Sequence, residues 1–427
     1  MQSKIRGASF FTGIGGFDLG FEKAGIVPTF QCEVDVFCTS ILAKHWPKVE
    51  KHGDIVELQP SSIPDADVWC GGFPCQDVSV ARGWLGRDGF KGKNTGLFYP
   101  FAKLIENKRP QVVIMENVMG LLNSHNGQDF AILLHSLSSL GYGVAWRTLN
   151  TRYFGAPQSR PRVFICAWNG SVDAAYHVLF EYGRCEKPEN PRIGFLRASK
   201  CEITGAVVPE VAFCLAATSG RHTGTDWSRS YVAYESEVRR LTPTECERIQ
   251  GYPAGWTIPN GDSSLSSEKI DSLRYKAIGN AVSVPVVEWI GRRVVKEFHN
   301  PSPDVVGTFC RPDDIERFAE HTTKFRNSEA RRINLPEISG HDDAPKIRWA
   351  GAGIMDNLEC IMLNKLTHMP REPVSSLLVD VLDKARPDEK YFLSSNAAKG
   401  ILRRVNSQER QLFGPLTEAL ERLQLRE

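Results

Sequence analysis

Ala8-Ser9-Phe10-Phe11-Thr12-Gly13-Ile14-Gly15-Gly16-Phe17 is the stretch that decides the fold of this 427-residue chain. Ala8 to Phe11 is a short run of the kind a strand presents, and it leads into a glycine turn. From Phe17 to Ala24 the period changes: Phe17, Gly20, Phe21 and Ala24 share one face of a predicted helix. Glycines between a strand and a helix let the backbone come close to a ligand. The turn is not the G-x-G-x-x-G dinucleotide fingerprint. Taken alone, it is equally a tight turn that needs positive φ.

Further strands follow outward from this unit. Thr29 to Cys32 and Ala66 to Cys70 (ending at Gly71-Gly72) read as strands, and Val112 to Met115 and Val163 to Ala167 are short apolar runs, as strands of a buried parallel sheet are. Strands alternating with helical patterns predict an α/β fold with a parallel sheet. Ligands of such sheets sit at the carboxyl ends of the strands. Gly13, Glu33, Pro74-Cys75 and Glu116-Asn117 all fall at those ends. From about Gly170 to Glu237 the pattern breaks into a polar, irregular stretch. It resumes at Arg240-Leu241-Thr242-Pro243-Thr244-Glu245, with Thr242 placed as an N-cap and Pro243 at the first helical position. Asn260 to Ser267 reads as a loop, Val282 to Phe298 as a helix, and a tail opens at Asn300-Pro301-Ser302-Pro303.

A net charge of +2 excludes a polycation, so nucleic-acid binding has to rest on a local basic surface. No uncharged apolar run of about 18 residues predicts a membrane span. The opening Met1-Gln2-Ser3-Lys4-Ile5-Arg6 lacks the apolar core of a secretory signal. The eleven cysteines include no C-x-x-C pair with a following histidine pair, which predicts a reduced, cytoplasmic protein without a metal site.

The strongest single signal for chemistry is Gly71-Gly72-Phe73-Pro74-Cys75-Gln76. Pro74 fixes φ and orients the residue after it, and a thiolate at a strand end is a nucleophile. Met115-Glu116-Asn117-Val118 sets a carboxyl at the end of a buried strand, where burial favours its protonated form. Gln158-Ser159-Arg160-Pro161-Arg162 carries two arginines two residues apart, which in extended backbone point to one face. A guanidinium there suits a thiolate or an acceptor atom of a base. Glu33 and Asp54 suit a ribose hydroxyl and an adenine amine, and each alone is equally a solvated loop acid.

In this order the segments resemble the DNA (cytosine-5)-methyltransferase family, of bacterial modification or phage type. The glycine turn is similar to its first motif, Gly72-Phe73-Pro74-Cys75-Gln76 to its catalytic motif, and Glu116-Asn117-Val118 to its ENV motif. Gln158-x-Arg160-x-Arg162 resembles QxRxR. The run from Arg240 to Pro253 resembles RxLTxxExxRxQGFP, and Gly279-Asn280-Ala281-Val282 with Val284-Pro285 resembles GNxVxxPV. The resemblance implies a Rossmann-like sheet that uses S-adenosylmethionine, formed by residues 1–169 and 268–299. Residues 170–267 would be an inserted target-recognition domain, and 300–427 a C-terminal extension serving as an accessory DNA-binding or docking module.

By matching positions, Cys75, Glu116, Arg160 and Arg162 would be catalytic. Phe11, Gly13, Ile14, Gly15, Glu33, Asp54, Ile55, Pro74, Leu97 and Asn280 would hold the cofactor. Gln76, Ser79, Arg82, Arg221 and Arg229 would meet DNA. The implied partners are double-stranded DNA and, functionally, a cognate restriction endonuclease; the expected state is a monomer. Three positions depart from the family pattern: Asp77-Val78-Ser79 stands for A-F-S, Gly96 for a common Thr, and Val34 for a Trp found in some members. A tRNA cytosine methyltransferase of the same fold would carry a Cys-Phe-Thr signature, which is missing. A regulator with a dead site would not be expected to keep Cys75, Glu116, Arg160 and Arg162 together. The tail segment Lys390 to Arg404 resembles one seen inside the recognition region of phage and prophage relatives.

Overall fold

The computed structural model describes residues 4–73, 95–181, 190, 192–220, 225–260, 265–305, 330–334, 347–363 and 366–426. Its first unit is β1 (Arg6–Phe10), a turn, and α1 (Gly16–Ala24). Gly13 and Gly15 both have positive φ, +58° and +82°, so the turn does need the left-handed freedom of glycine. Then come β2 (Val27–Cys32), α2 (Val36–His45), β3 (Glu50–His52), β4 (Val68–Gly71), α3 (Phe98–Lys108) and β5 (Val112–Val118). These five strands are parallel, in the spatial order β5-β4-β1-β2-β3.

β5 shows why such strands read as unbroken apolar runs. Val113 and Met115 enter one core, with Phe101 of α3, while Val112 and Ile114 enter the core on the opposite face. With both faces covered, no polar alternation survives. Next come α4 (Gln128–Ser139), β6 (Tyr142–Asn150), the short β7 (Gln158–Ser159) and β8 (Pro161–Asn169). Here the expectation of a parallel strand at Val163 to Ala167 is corrected. β8 lies between β5 and β6 and is antiparallel to both. The connection from Asn150 to Pro161 is too short for the crossover that parallel neighbours need, so the chain turns back on itself.

The expected irregularity from Gly170 also starts later. α5 (Val172–Leu179) is a capped helix, with the Ser171 side chain accepting from the Ala174 amide. Its Ala175, Tyr176, Val178 and Leu179 pack on the sheet beside Val286, Val287 and Ile290. A second, small antiparallel sheet follows, of β9 (Ala198–Lys200), β10 (Val207–Pro209), β12 (Tyr231–Ala233) and β13 (Val238–Arg240). β11 (Ala212–Phe213) pairs separately with β7. α6 (Pro243–Gln250) opens on a full capping box between Thr242 and Glu245, with Pro243 in its first turn. α7 (Ser267–Asn280) and α8 (Val284–His299) complete this part.

The C-terminal extension divides between the two sheets. β15 (Ala352–Asp356) pairs antiparallel with β6, β16 (Glu359–Leu363) with β15, and β14 (Ala330–Asn334) with β16, giving a ten-stranded sheet. Addition of β15 covers the hydrogen-bonding edge that β6 would otherwise expose. The last two helices, α9 (Ser395–Ser407) and α10 (Gly414–Gln424), pack Ile401, Val405, Leu416 and Leu420 against Tyr231, Ala233 and Val238 of the small sheet.

Candidate active site

The antiparallel entry of β8 builds the site. Its register sets Phe164 opposite Glu116 and Arg162 opposite Val118, so Glu116 and Arg162 are diagonal neighbours on one face. Arg162 Nε lies 3.1 Å from Glu116 Oε1, an ion pair with both side chains largely buried. Asn117 faces the other way. Its Nδ2 donates to the Phe73 carbonyl (3.4 Å), which ties the end of β5 to the exit of β4.

Arg160 is 3% exposed and serves as a junction. Its guanidinium donates to the carbonyls of Leu215 (2.9 Å), Gly279 (3.2 Å) and Ala281 (2.8 Å). Gln158 Nε2 donates to Gln250 Oε1 at 2.7 Å, and the Leu215 amide donates back to Gln158 Oε1 at 3.2 Å. Gln250 Nε2 reaches the Ile278 and Ala281 carbonyls. Three separate sequence motifs are thus stitched together by buried amides and one buried cation. At Gly279 the chains run so close that a Cβ would stand 2.2 Å from the Ala216 backbone, so only glycine fits.

At the other end the glycine turn meets β2. The Gly13 amide donates to Glu33 Oε2 (2.6 Å), and the Asp35 amide donates to Glu33 Oε1 (2.8 Å). Burial raises the Glu33 pKa above its ordinary value, opposed by these amides. Lys276 of α7 reaches across to Asp35 Oδ2 at 2.8 Å. Burial acts to raise the Asp35 pKa, yet the bonds from Lys276 and the Cys38 amide bring it below the ordinary value.

Both ends open into one cavity of about 510 Å³. Phe11, Gly13, Glu33, Asp54, Ile55, Leu97 and Asn280 line it, and so do Glu116, Arg160 and Arg162. The cavity therefore gathers seven of the expected cofactor residues and three of the expected catalytic ones.

A family model described as "C-5 cytosine-specific DNA methylase" matches residues 5–203 and 203–296. The Type II methyltransferase M2.BsuMI of Bacillus subtilis is 33% identical over 302 residues, covering 67% of this chain and 74% of that protein. The Type II methyltransferase M.NgoBI of Neisseria gonorrhoeae is 31% identical, over 65% of this chain and 89% of its own. The chain belongs to the C-5 cytosine-specific DNA methylases. It is an enzyme of that class, a DNA (cytosine-5)-methyltransferase. In fold it is similar to the Entamoeba histolytica methyltransferase EhMeth, with a TM-score of 0.50 at 16% identity over 70% of this chain and 99% of the other. The α/β sheet with its parallel half is accordingly the Rossmann-like sheet of methyltransferases.

Several expected site residues of the methylase stand elsewhere. Ile14 is fully buried, and its carbonyl accepts from Trp256 Nε1 at 2.9 Å. Gly15 lies under the Trp46 ring, where a Cβ would collide at 2.3 Å. Both support the turn without lining the cavity. Arg229 braces the segment before β12, donating to the Thr218 carbonyl (2.7 Å) and hydroxyl (3.1 Å). Pro74, Cys75, Gln76, Ser79, Arg82 and Arg221 lie outside the described residues.

Cys214 is a cavity residue that no sequence pattern marked. Cys214 Sγ is 3.5 Å from Arg160 Nη1 and 3.7 Å from Arg162 Nη2. Burial opposes ionisation, but the two guanidinium charges prevail and bring this thiol below its ordinary pKa. By contrast, burial pushes the thiols of Cys70, Cys166, Cys246 and Cys360 well up, as in inert core cysteines. No local pattern marked Cys214, because both arginines are more than fifty residues away in sequence.

Proposed function

We propose that the methylase transfers a methyl group from S-adenosylmethionine to C5 of a cytosine flipped out of a specific double-stranded DNA sequence. The reaction would run through a covalent bond between Cys75 and cytosine C6. The observation that carries this reading is the single cavity holding Glu33 and Gly13 at one end and the Glu116–Arg162 pair at the other.

The cofactor end fits the proposed donor. Where a Cβ of Gly13 would stand there is open space. Glu33 is held at the cavity by two backbone amides and would accept from a ribose hydroxyl, and Phe11, Ile55 and Leu97 would supply apolar wall for a purine. When bound, S-adenosylmethionine supplies an electrophilic sulfonium methyl.

Cytosine C5 is a poor nucleophile, so the ring has to be activated first. In the proposal, the Cys75 thiolate adds to C6 and forms a carbon–sulfur bond, with the negative charge developing at N3. A proton taken up from solvent and relayed by the Glu116 carboxyl would neutralise N3, and Arg162 would bond O2. The resulting C4–C5 enamine would be nucleophilic at C5, the atom to which the bound donor would give its methyl group. A base then removes the C5 proton, and the electron pair expels Cys75 and restores aromaticity. A thiolate cannot reach C6 within a stacked duplex, which is why the base must flip out. Arg160 takes part indirectly by fixing the Leu215 and Ala281 backbone around the cavity.

Residues 170–267 would supply target recognition, the family role of the segment inserted before α7. The test is to express the chain in cells lacking cytosine methylation and bisulfite-sequence their DNA. Protected cytosines within one short sequence context support the reading. Unmodified DNA from cells that hold folded protein overturns it.

A further inference from the structure

Resting on the reading of the chain as a DNA methyltransferase, we propose that α9 of the C-terminal extension is a phosphate-contacting surface. It would lie along the DNA backbone beside the recognition segment. Three observations carry this.

First, α9 is one-sided in charge. Ser395 to Ser407 holds Lys399, Arg403 and Arg404 and no acid. Its apolar stripe, Ala398, Ile401 and Val405, is spent on the small sheet. The outward face shows Asn396, Lys399, Arg403, Asn406 and Ser407, and Arg410 continues it past the helix end. Lysine, arginine, asparagine and serine are the side chains that commonly bond phosphate oxygens. The 13-residue helix is about 20 Å long. A duplex carries about a dozen phosphates over that axial length.

Second, α9 is fastened to the wall of the cavity. Leu215, Ala216 and Ala217 line the cavity. Thr218 next to them is held by Arg229, and the turn just before Arg229 is clamped by the extension. Arg404 Nε donates to Asp226 Oδ2 (2.8 Å), Trp227 Nε1 donates to Gln408 (2.9 Å), and the Arg410 guanidinium lies 4.6 Å over the Trp227 ring. A duplex that delivers a base to the cavity would run its backbone along this rim.

Third, the inward charge is already paired and the outward charge is not opposed on its own helix. Arg404 is neutralised by buried Asp226. The closest acid along the chain, Glu409, is exposed beside Arg410 beyond the end of the helix, so Lys399 and Arg403 are the charges that no acid of α9 opposes.

The test uses the full chain with Lys399, Arg403 and Arg410 all changed to glutamine. The control variant is Lys23→Gln, Arg292→Gln and Lys296→Gln, which removes the same charge from the exposed surface of α1 and α8. DNA dissociation constants are measured by fluorescence anisotropy from 50 to 300 mM salt, alongside turnover at saturating DNA. The α9 variant should bind at least roughly tenfold more weakly at 150 mM salt. Its log–log salt slope should fall by about 2 to 3, because each lost phosphate contact takes away about 0.9. Its target sequence and its turnover at saturation should be unchanged, and the control should match wild type. An α9 variant with the wild-type slope and affinity overturns the proposal, even if the wild type methylates DNA. A wild type that methylates no DNA overturns the underlying reading instead.

Discussion

Arg162 Nε stands 3.1 Å from Glu116 Oε1 because β8 returns antiparallel to β5 and sets the two residues diagonally across the strand pair. The pair brings a carboxyl and a guanidinium to one wall of the cavity, the two groups that would meet the N3–O2 edge of cytosine in the proposed reaction.

Arg162→Lys keeps the charge but loses the planar fork that can face Glu116 and a base oxygen together. We expect single-turnover methylation to slow by about 10²-fold, with S-adenosylmethionine affinity within a factor of two of wild type. That loss corresponds to about 2.7 kcal/mol of transition-state stabilisation. Equal slowing and weakened cofactor binding would instead indicate a collapsed cavity.

Cys214 is the acceptor shared by Arg160 and Arg162. Cys214→Ala removes that acceptor from between two guanidinium groups, whereas Cys214→Ser leaves a hydroxyl oxygen in its place. The expected outcome is a kcat for the alanine variant lower by about tenfold, with serine within about threefold of wild type. The wild-type rate should also rise with pH as this thiol ionises between its guanidinium neighbours, an inflection the serine variant lacks. Identical pH profiles for the two proteins would show that Cys214 only fills space.

Asp18, in the first turn of α1, is buried, and burial raises its pKa from 3.8 to about 6 despite hydrogen bonds from Gln31 and Ser9. A pKa raised on folding stabilises the native state fully below about pH 4, and this contribution is lost as pH rises through about 6. Above that pH the fold carries a buried charge. Asp18→Asn should therefore gain stability relative to wild type between pH 4 and pH 7.5, by on the order of 1–3 kcal/mol in urea unfolding. A stability difference that does not change with pH would contradict this.

The parallel half of the sheet was legible because both of its faces are buried, so β1, β4 and β5 announce themselves as apolar runs with glycine turns after them. The Thr242 cap was legible for a local reason, the reciprocal bond with Glu245 three residues on. The direction of β8 is not written in Val163 to Ala167, since a strand buried on both faces reads the same either way. It follows from the length of the connection before it. α5 was missed although Ala175, Tyr176, Val178 and Leu179 hold helical spacing, because the polar residues after it dominated the reading of the whole stretch. The β15–β16 hairpin was missed for a different reason. Its turn takes left-handed φ at Asn357 and Leu358, +44° and +67°, and a leucine in that position gives no turn signal. Cys214, Lys276 and the Gln158–Gln250 bond are long-range facts that become visible only once the segment after β11 has folded back on α7.

The proposed reaction turns on a covalent bond from Cys75 to the target base, which a mechanism-based trap detects. The full chain is incubated with S-adenosylmethionine and duplex DNA that contains 5-fluorocytosine across a pooled set of sequences. Fluorine at C5 cannot leave as a proton does, so the methylated adduct cannot break down. The expected result is a protein–DNA band that survives denaturation, requires S-adenosylmethionine, and disappears in Cys75→Ala. A folded wild-type protein that forms no such band on any sequence, or a Cys75→Ala protein that still forms it, would rule out attack by Cys75.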